Sequence, residues 1–594
     1  MRPFLPILDW APRYDRAALG NDLLAAVIVT IMLIPQSLAY ALLAGLPAEI
    51  GLYASVAPLL IYALFGTSRT LAVGPVAVVS LMTAAAVAPL AAQGTPEYLG
   101  AAIALAVLSG LILLVMGLLR LGVIANFISH PVISGFITAS GLLIAAGQVP
   151  QLLGLGIRGE TLPDLARALW PKLPAAEPQV LLIGLPVLAF LFWTRARLTP
   201  LLRRLGLPPR LAAATSRAAP VMAVAATTLA SWGLALEVPV VGEIPRGLPL
   251  PVLPPLNLEL WRAILWPAAL IALVGYVETI SVAQTLAAKR RHRIDPDQEL
   301  VALGLANIGA GVSGGFPVTG GFARSVVNFD AGAETPAAGA FTAIGMALAT
   351  LTLTPALFYL PKATLAATII VAVLSLVDLG ALRRTLAYSR SDFAAMAVTI
   401  VMTLGLGVEA GISAGVALSL ALHLWRSSHP HVAVMGQVPG TEHFRNLARH
   451  EVVTVPEVLQ VRIDESLWFP NARHLEDVLL AAVSEQPGLR HVVLDCAAVN
   501  SIDASALETL EALNHRLSDG GVRLHLAQVK GPVMDRLLRS PFPDALTGRV
   551  YLTQFDAMMD LAPAITRATR GAPRIATAPG PRAKPPLDAG QMPG

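Results

Sequence analysis

Long apolar segments recur along the chain as far as Trp425, and short polar or basic segments separate them. A helix needs about 20 apolar residues to cross a bilayer, so this pattern predicts about fourteen membrane spans. The predicted centres are Ile31, Leu59, Leu81, Leu108, Thr138, Leu185, Ala225, Leu273, Ala306, Val326, Met346, Val371, Val398 and Ala417. We therefore expect an all-α polytopic membrane domain.

After Trp425 the apolar residues alternate with polar ones in short segments. Strands are predicted at 458–463, 492–495 and 522–526, with a helix over 504–517, which is typical of a small α/β domain. The end of the chain is rich in Pro, Ala, Gly and Arg, which favours disorder. The predicted division is a cytoplasmic segment 1–20, a membrane domain 21–427, a linker 428–448, a cytoplasmic α/β domain 449–565 and a disordered tail 566–594.

Composition supports a membrane protein and excludes several other classes. Of the 594 residues, 55% are hydrophobic and 13% are charged, whereas soluble domains carry about 25% charged residues. A net charge of +4 does not favour nucleic acid as a partner, so the expected partners are the lipid bilayer and a small solute. Cys496 is the only cysteine, and we expect no metal and no cofactor.

The positions of basic residues predict the topology. They follow the even-numbered spans, and acidic residues are more common after the odd-numbered ones. Basic residues mark the cytoplasmic side of a membrane. Examples after even-numbered spans are Arg69, Arg120, Arg195, Lys289 and Arg383. We therefore expect a multi-pass protein of the plasma (inner) membrane with both termini in the cytoplasm.

Two apolar segments are broken by glycine and proline, at 71–78 and 316–324. Each is predicted as a short extended stretch that turns into a helix at membrane depth. Irregular backbone is tolerated there only when it is buried in protein or lines a cavity. A helix that begins at this depth presents free N–H groups and a positive dipole end. Both features predict an anion site.

Matching spacings suggest that the two halves of the membrane domain are repeats. Pro35, Gln36 and Ser37 interrupt the first span, and Pro75 follows Gln36 by 39 residues (75 − 36). In the second half, Gly320 follows Glu278 by 42 residues (320 − 278). Repeats of about seven spans have opposite orientations because seven is odd, and broken helices at corresponding positions are typical of transporter sites.

The residues around the two breaks suit an oxyanion. Pro75 fits the first turn of a helix, and Gly320 and Gly321 let backbone approach a ligand closely. Arg324 lies near the start of the second short helix, so its guanidinium can bind the anion. The alternative is that Arg324 lies at the cytoplasmic rim and only extends its charge towards water.

Glu278 is the only charge in its apolar span. A carboxylate at that depth should be protonated, paired or bound to a cation, so we expect proton or sodium coupling there. The alternative is a structural partner for Arg324 or a hydrogen bond between helices. Gln36 and Tyr40 lie four residues apart on one helical face and can donate to an anion, or can simply join two helices.

Several motifs of this chain resemble the sulfate permease (SulP) family of anion transporters. They are Pro35–Tyr40, Gly51–Ser55, Phe65–Arg69, Val73–Leu81, Glu278, Asp297–Leu300, Asn307, Gly309 and Arg324–Asn328. The resemblance implies fourteen spans as 7+7 inverted repeats, with core and gate domains, in a homodimer. It implies a substrate site at Gly74, Pro75, Val76, Gly320, Gly321, Phe322, Ala323 and Arg324, lined also by Gln36, Tyr40 and Glu278.

The predicted soluble domain resembles the STAS domain of the same family, in Val492–Asp495 and Ser501–Leu507. In related anti-sigma-factor antagonists, the serine at the position of Ser505 accepts phosphate. The resemblance implies a regulatory switch at Ser505. The alternative is a hydroxyl that helps to start a helix.

One departure bears on the substrate. Many sulfate-carrying relatives have Gly-Ser-Phe-Ser-Arg where this chain has Gly320-Gly321-Phe322-Ala323-Arg324. This chain therefore lacks two serine hydroxyl groups that could bind the oxygen atoms of an oxyanion. Sodium-coupled bicarbonate relatives tend to have Asp at the position of Glu278, so glutamate there favours a proton. No Gly-x-x-x-x-Gly-Lys-Ser/Thr loop for ATP is present.

The sequence thus predicts a secondary active anion transporter rather than an enzyme. We expect it to carry sulfate or a related oxyanion or carboxylate with protons, by an elevator-type movement of the core domain. Alternatives are a sodium-coupled bicarbonate transporter, a proton-coupled dicarboxylate transporter, a nucleobase carrier, and a membrane-anchored STAS signalling receptor.

Overall fold

The structure is a computed structural model that describes residues 5–127, 129–157, 159, 161–206, 208, 212, 215–216, 218–243 and 247–573. Its internal contacts define two compact units, Met1–Ser419 and Leu420–Gly594. The first unit is helical and the second is an α/β unit, as the change of sequence pattern after Trp425 predicts.

Twenty helices and two very short strands begin within the described part of the first unit. The helices are α1 Ile7–Trp10, α2 Arg16–Leu43, α3 Ala48–Tyr53, α4 Ala57–Phe65, α5 Ala77–Val87, α6 Pro96–Leu118, α7 His130–Leu152, α8 Leu162–Leu169, α9 Pro178–Trp193, α10 Thr199–Arg204, α11 Ala219–Gly233, α12 Leu258–Lys289, α13 Pro296–Val312, α14 Phe322–Asp330, α15 Ala337–Thr352, α16 Thr354–Leu357, α17 Lys362–Leu374, α18 Leu379–Tyr388, α19 Arg390–Leu406 and α20 Val408–Ser428. The strands are β1 Val73–Gly74 and β2 Thr319–Gly320. Every predicted span centre lies in one of these helices.

Within the described residues, eight helical segments are long and apolar enough to cross a membrane. Other apolar helices are shorter, among them α5, α11 and α15. The helices α5 and α14 follow the strands β1 and β2, so both broken segments form the extended-then-helical structure that their glycine and proline predict. At 1.5 Å per residue, the nine residues of α14 span only about 14 Å. The count of fourteen spans stays a prediction.

The first predicted interruption is absent. We expected Pro35 to break the first span, but α2 runs without a break from Arg16 to Leu43 with Pro35 inside it. Pro35 is buried, and neighbouring helices can compensate for the backbone bond that a proline removes. In the first half of the membrane domain, the predicted break in helical backbone is therefore found at β1 and not at Pro35.

Two buried carboxylates anchor loops to helices of the first unit. Glu299 in α13 accepts from the hydroxyl of Tyr62 (2.7 Å), from the N–H and hydroxyl of Thr67 (2.8 and 2.6 Å) and from the N–H of Ser68 (3.1 Å). Asp22 in α2 accepts in the same way from Thr335 and from the N–H of Glu334, at 2.6–3.2 Å. Such bonds compensate a carboxylate for its lost hydration.

The second unit contains one sheet of six strands in the order β4-β3-β5-β6-β7-β8. Its strands are β3 Val432–Gln437, β4 Phe444–Asn446, β5 Val458–Ile463, β6 His491–Asp495, β7 Arg523–Ala527 and β8 Val550–Tyr551. Its helices are α21 Phe469–Glu485, α22 Ala504–Asp519, α23 Gly531–Leu537, α24 Phe542–Ala545, α25 Gln554–Leu561 and α26 Pro563–Gly571. Strands β5 to β8 are parallel, and β3 and β4 are antiparallel.

The predicted strands at 458–463, 492–495 and 522–526 correspond to β5, β6 and β7, and the predicted helix corresponds to α22. Two boundaries differ from the prediction. Residues 428–448, expected to be a linker, supply β3 and β4, because their alternating apolar side chains complete the sheet. The expected disordered tail begins inside α26, and residues 574–594 lie outside the described residues.

Candidate functional site

The two broken segments meet through the short strands. Val73 pairs with Gly320 and Gly74 with Thr319, in antiparallel register. Two further bonds extend this contact: the N–H of Gly321 donates to the carbonyl of Ala72 (3.1 Å), and the N–H of Ala72 donates to the hydroxyl of Ser325 (3.0 Å). The pairing places the beginnings of α5 and α14 beside each other, as the matched breaks in the sequence predict.

Both short helices begin without a side-chain cap. Val76 precedes α5 and Gly321 precedes α14, and neither supplies a side-chain acceptor to the first turn. The residues from Leu71 to Ser80 are all buried, Val76 among them. Uncapped N–H groups and the positive end of a helix dipole attract an anion. Two such ends therefore face one region of the protein interior.

Arg324 lies between the two segments. Its side chain is 2% exposed, and it donates from Nη1 to the carbonyl of Pro75 (2.7 Å) and from Nη2 to the carbonyl of Thr319 (3.4 Å). Its Nε has no hydrogen-bond partner among the described residues. The alternative in which Arg324 reaches an exposed rim does not fit a side chain that is almost completely buried.

Two glycines make room for this guanidinium. A Cβ atom added to Gly321 would lie 2.7 Å from Nε of Arg324, and one added to Gly74 would lie 3.1 Å from Nη1. Gly320 contributes differently, since a Cβ there would meet the side chain of Leu71 at 2.9 Å. The glycines of both breaks therefore serve close packing around one arginine.

Beside Arg324 the start of α14 is open. Phe322 is 45% exposed in the protein and Ala323 is also exposed, although both lie in the first turn of the helix. The predicted binding segment from Gly320 to Arg324 is thus buried at both ends and exposed in its middle, at Phe322 and Ala323.

Glu278 lies in α12 and lines a small cavity of about 20 Å³. It interacts electrostatically with Arg324, but it makes no hydrogen bond or ion pair to Arg324 or to any other described residue. The other lining residues are apolar: Val78, Ile133, Phe136, Ile137, Val274, Val277 and Ile412. The alternative of a direct ion pair between Glu278 and Arg324 is therefore absent from this structure.

The neighbour of Glu278 connects α12 to the site. The N–H of Gly320 donates to the hydroxyl of Thr279 (3.0 Å), which also bonds to the hydroxyl of Thr319 (2.7 Å). Thr319 in turn donates to the carbonyl of Gly275 (2.6 Å). These hydrogen bonds attach β2 to the helix that contains Glu278.

Gln36 and Tyr40 lie one turn apart on α2, which packs against both α5 and α14. Both side chains are half-buried. Tyr40 interacts electrostatically with Arg324 and Glu278, which places it at the site. Gln36 makes no hydrogen bond to the described part of the chain, and its role stays a prediction.

Behind the site lies a polar framework whose hydrogen bonds the sequence did not predict. Thr279, Thr319 and Ser325 join β1, β2 and α12, and Asn307 donates to the carbonyl of Val318 and accepts from its N–H (both 2.9 Å). The signal that was present in the sequence is the occurrence of hydroxyl and amide side chains in apolar spans, where burial without a partner is costly. Which groups they bond to depends on the fold.

Ser505 lies in the second unit, in the first turn of α22, and is exposed. The helix is capped by Asp503, whose carboxylate accepts from the N–H of Ala506 at 2.8 Å. Ser505 is therefore a hydroxyl at the start of the helix but not its cap, and its role as a regulatory switch stays a prediction. In the described residues, no group of three or more His, Cys, Asp or Glu side chains is arranged to hold a metal ion.

The chain is similar to known proteins in sequence and in fold. Residues 19–399 match the sulfate permease family, and residues 449–557 match the STAS domain. A chloroplastic protein of Arabidopsis thaliana, sulfate transporter 4.1, is 35% identical over 540 residues, which cover 87% of this chain and 76% of that protein. A probable sulfate transporter of Mycobacterium tuberculosis is 33% identical over 558 residues, 92% of this chain and 97% of the relative. The solved structure of SLC26A9 has the same fold, with a TM-score of 0.86, 24% identity and coverage of 95% of this chain and 93% of that one.

Proposed function

The chain belongs to the sulfate permease family, and we propose that it is a secondary active transporter of a small oxyanion or carboxylate. The observation that carries this proposal is the position of Arg324 between the uncapped beginnings of α5 and α14. A buried cation and two helix N-termini at one place attract an anion without any cofactor. The named relatives are sulfate transporters, and none of those described above is named as an enzyme.

The anion would bind at the first turn of α14, where Phe322 and Ala323 are exposed. The Nε of Arg324 is unpartnered, and the first N–H groups of α14 follow Gly321 without a cap. Phe322 and Ala323 would then border the anion, while Gly74, Pro75 and Val76 supply the opposite helix start. Because Gly321 and Ala323 lack hydroxyls, carboxylates such as fumarate, and bicarbonate, are substrates to test together with sulfate.

Glu278 would couple transport to protons. The carboxylate has no partner among the described residues, and its cavity is otherwise lined by apolar side chains. A sodium ion requires several oxygen ligands, and this lining does not offer them, whereas a proton needs only the carboxylate. Protonation would also remove a negative charge that faces Arg324 and the anion. We propose proton symport for this reason, and sodium coupling is the second possibility.

Transport itself would follow an elevator-type movement. In this proposal α2, α5, α12 and α14 move together with the anion against α7, α19 and α20. Support comes from the bonds that unite β1, β2 and α12 into one body. The same proposal includes a homodimer in the plasma (inner) membrane, with Ser505 as a regulatory phosphorylation site on the STAS domain.

Flux into proteoliposomes tests the proposal. Uptake of sulfate, bicarbonate and fumarate is measured with and without proton and sodium gradients, for the wild type and for Arg324→Gln and Glu278→Gln. We expect Arg324→Gln to abolish uptake and Glu278→Gln to remove the stimulation by a proton gradient. The matched controls are the exposed residues Arg262 and Glu259 of α12, whose Gln variants should transport normally.

Normal uptake by the Arg324→Gln protein would contradict the anion site, and an unchanged response to the proton gradient in Glu278→Gln would contradict the coupling role. A wild-type protein that carries none of these anions would instead favour a membrane-anchored STAS receptor.

A further inference from the structure

Three cavities lie one after another along the helix α7. The first, of about 330 Å³, contains Arg120, Ser281 and Gln284, and Ile133 of α7 lines it. The second is the Glu278 cavity, which α7 lines with Ile133, Phe136 and Ile137. The third, of about 550 Å³, is lined by Leu143, Ile144, Gly147, Gln148 and Gln151 of the same helix. We call the first the Arg120 cavity and the third the Gln148 cavity.

The row has the length of a path across a membrane. Ile133 and Gln151 are 18 residues apart (151 − 133), which is about 27 Å along a helix, and the hydrocarbon core of a bilayer is about 30 Å thick. The Glu278 cavity shares Ile133 and Val277 with the Arg120 cavity. It shares no described lining residue with the Gln148 cavity. The site is therefore separated from the Gln148 cavity by a constriction next to Ile137.

Two polar side chains of α7 mark this constriction and the cavity beyond it. Ser140 is fully buried, and its hydroxyl has no hydrogen-bond partner among the described residues. Gln148 is 4% exposed, lines the cavity, and makes no hydrogen bond to any part of the chain that the structure describes. Buried hydroxyl and amide groups without partners are costly, so a ligand is expected to use them for part of the time.

Helical spacing places Gln148 on the face that lines the cavities, and it places Ser140 on the same face between the Glu278 and Gln148 cavities, where it lines neither. Ile133, Ile137, Ser140, Ile144, Gln148 and Gln151 follow one another at intervals of three or four residues, which is the repeat of one helical face. A Cβ atom added to Gly147 would meet nothing within 4 Å, which confirms open space on this side of the helix. The opposite wall is formed by Leu81, Ala84 and Ala85 of the short helix α5.

We propose that Ser140 and Gln148 form a second, weaker anion-binding station of two successive contacts. They lie eight residues (148 − 140), or about 12 Å, apart along α7, and the anion meets them one after the other as the site opens towards the Gln148 cavity. The proposal rests on the proposed function. The ligand class is the transported oxyanion or carboxylate, because hydroxyl and carboxamide N–H groups donate hydrogen bonds to it. Glu409 is the only charged side chain that lines this cavity among the described residues. A station with neutral donors and no cation binds an anion loosely and therefore releases it readily.

The test compares the two faces of the membrane. The KM for sulfate, bicarbonate and fumarate is measured in intact cells and in inside-out vesicles, for Ser140→Ala, Gln148→Leu and Gln284→Leu. We expect Ser140→Ala and Gln148→Leu to raise KM about tenfold on one face only, since a hydrogen bond to a charged group is lost. Gln284→Leu, in the Arg120 cavity, should act on the other face. Ser109→Ala is the matched control, because Ser109 is equally buried but donates to the carbonyl of Leu105 (2.7 Å).

A further variant distinguishes a change in anion binding from a change in folding. Gln148→Glu keeps the size of the side chain and adds a negative charge, so it should raise KM further than Gln148→Leu on the same face. Equal effects on both faces, or a KM within twofold of the wild type in the Ser140 and Gln148 variants, would overturn the proposal. Absence of transport in the wild type would instead overturn the proposed function.

Discussion

At the scale of single residues, the candidate site depends on the Cβ atom that glycine lacks. Gly321 has an ordinary backbone conformation (φ −80°), so any residue is compatible with its backbone. Its significance is the missing Cβ, which would lie 2.7 Å from Nε and 2.8 Å from Nη2 of Arg324. The guanidinium occupies the space over this glycine and from there reaches the carbonyls of Pro75 and Thr319.

This geometry predicts that Gly321→Ala displaces Arg324 without unfolding the protein, because the added methyl group meets a side chain rather than backbone. We expect anion affinity to fall about tenfold, since charge-assisted hydrogen bonds are sensitive to distance and direction. The measurement is the concentration dependence of uptake, together with the thermal unfolding temperature.

Gly405→Ala is the matched control, since a Cβ there meets nothing within 4 Å. Uptake by Gly321→Ala with wild-type affinity would show that the position of Arg324 is not what determines binding.

At the scale of elements, the short strands are held in place by neighbouring helices. Glu299 attaches the loop before β1 to α13 through four hydrogen bonds to Tyr62, Thr67 and Ser68. Asn328 in α14 donates to the carbonyl of Thr70 in the same loop (3.0 Å). A strand of two residues has no stability of its own, so these contacts set the position of the beginning of α5.

We therefore predict that Glu299→Gln destabilises the first unit by about 2 to 3 kcal/mol. The amide is uncharged, so three bonds from Thr67 and Ser68 weaken, and its NH2 group cannot accept the proton that the Tyr62 hydroxyl donates to Glu299. The measurement is the thermal unfolding temperature of the purified protein in detergent.

Glu97→Gln removes the same charge at an exposed position and should change stability very little. A Glu299→Gln protein as stable as this control would contradict the anchoring role of Glu299.

At the scale of the whole molecule, the predicted topology can be tested with single cysteines. The native thiol of Cys496 is buried, and burial together with the charge of Asp495 raises its pKa to about 12. A thiol reacts as its thiolate, so Cys496 should be unreactive at neutral pH. Introduced cysteines can therefore be labelled without first removing the native one.

We predict that a membrane-impermeant maleimide labels Gln93→Cys and Leu253→Cys in intact cells, but labels Arg203→Cys and Arg383→Cys only after the membrane is opened. Basic residues after even-numbered spans place the last two positions in the cytoplasm. All four positions are exposed in the protein. Labelling of Arg203→Cys in intact cells would contradict the predicted orientation of the chain.

The sequence by itself determined the elements and the chemistry of the site. Apolar length predicted helices at all fourteen centres, alternation predicted β5, β6 and β7, and the glycine and proline positions predicted the short strands and helices at both breaks. These are local properties, since hydrophobic spacing and backbone conformation depend on neighbours in the chain. The same local reading was wrong at Pro35 and at the expected linker, because packing and pairing with distant segments overrode local preference.

Only the tertiary structure decided which residues meet. The sequence left open whether Arg324 is exposed or pairs with Glu278, and the fold places it instead on the carbonyls of Pro75 and Thr319. The row of cavities along α7, with Ser140 and Gln148 unpartnered, was likewise not predicted. Such contacts join residues far apart in the chain, for example Arg324 and Pro75 (324 − 75 = 249). The matched spacings predict that the two breaks correspond, but they do not predict which atoms bond, because packing of whole helices determines which side chains share a space.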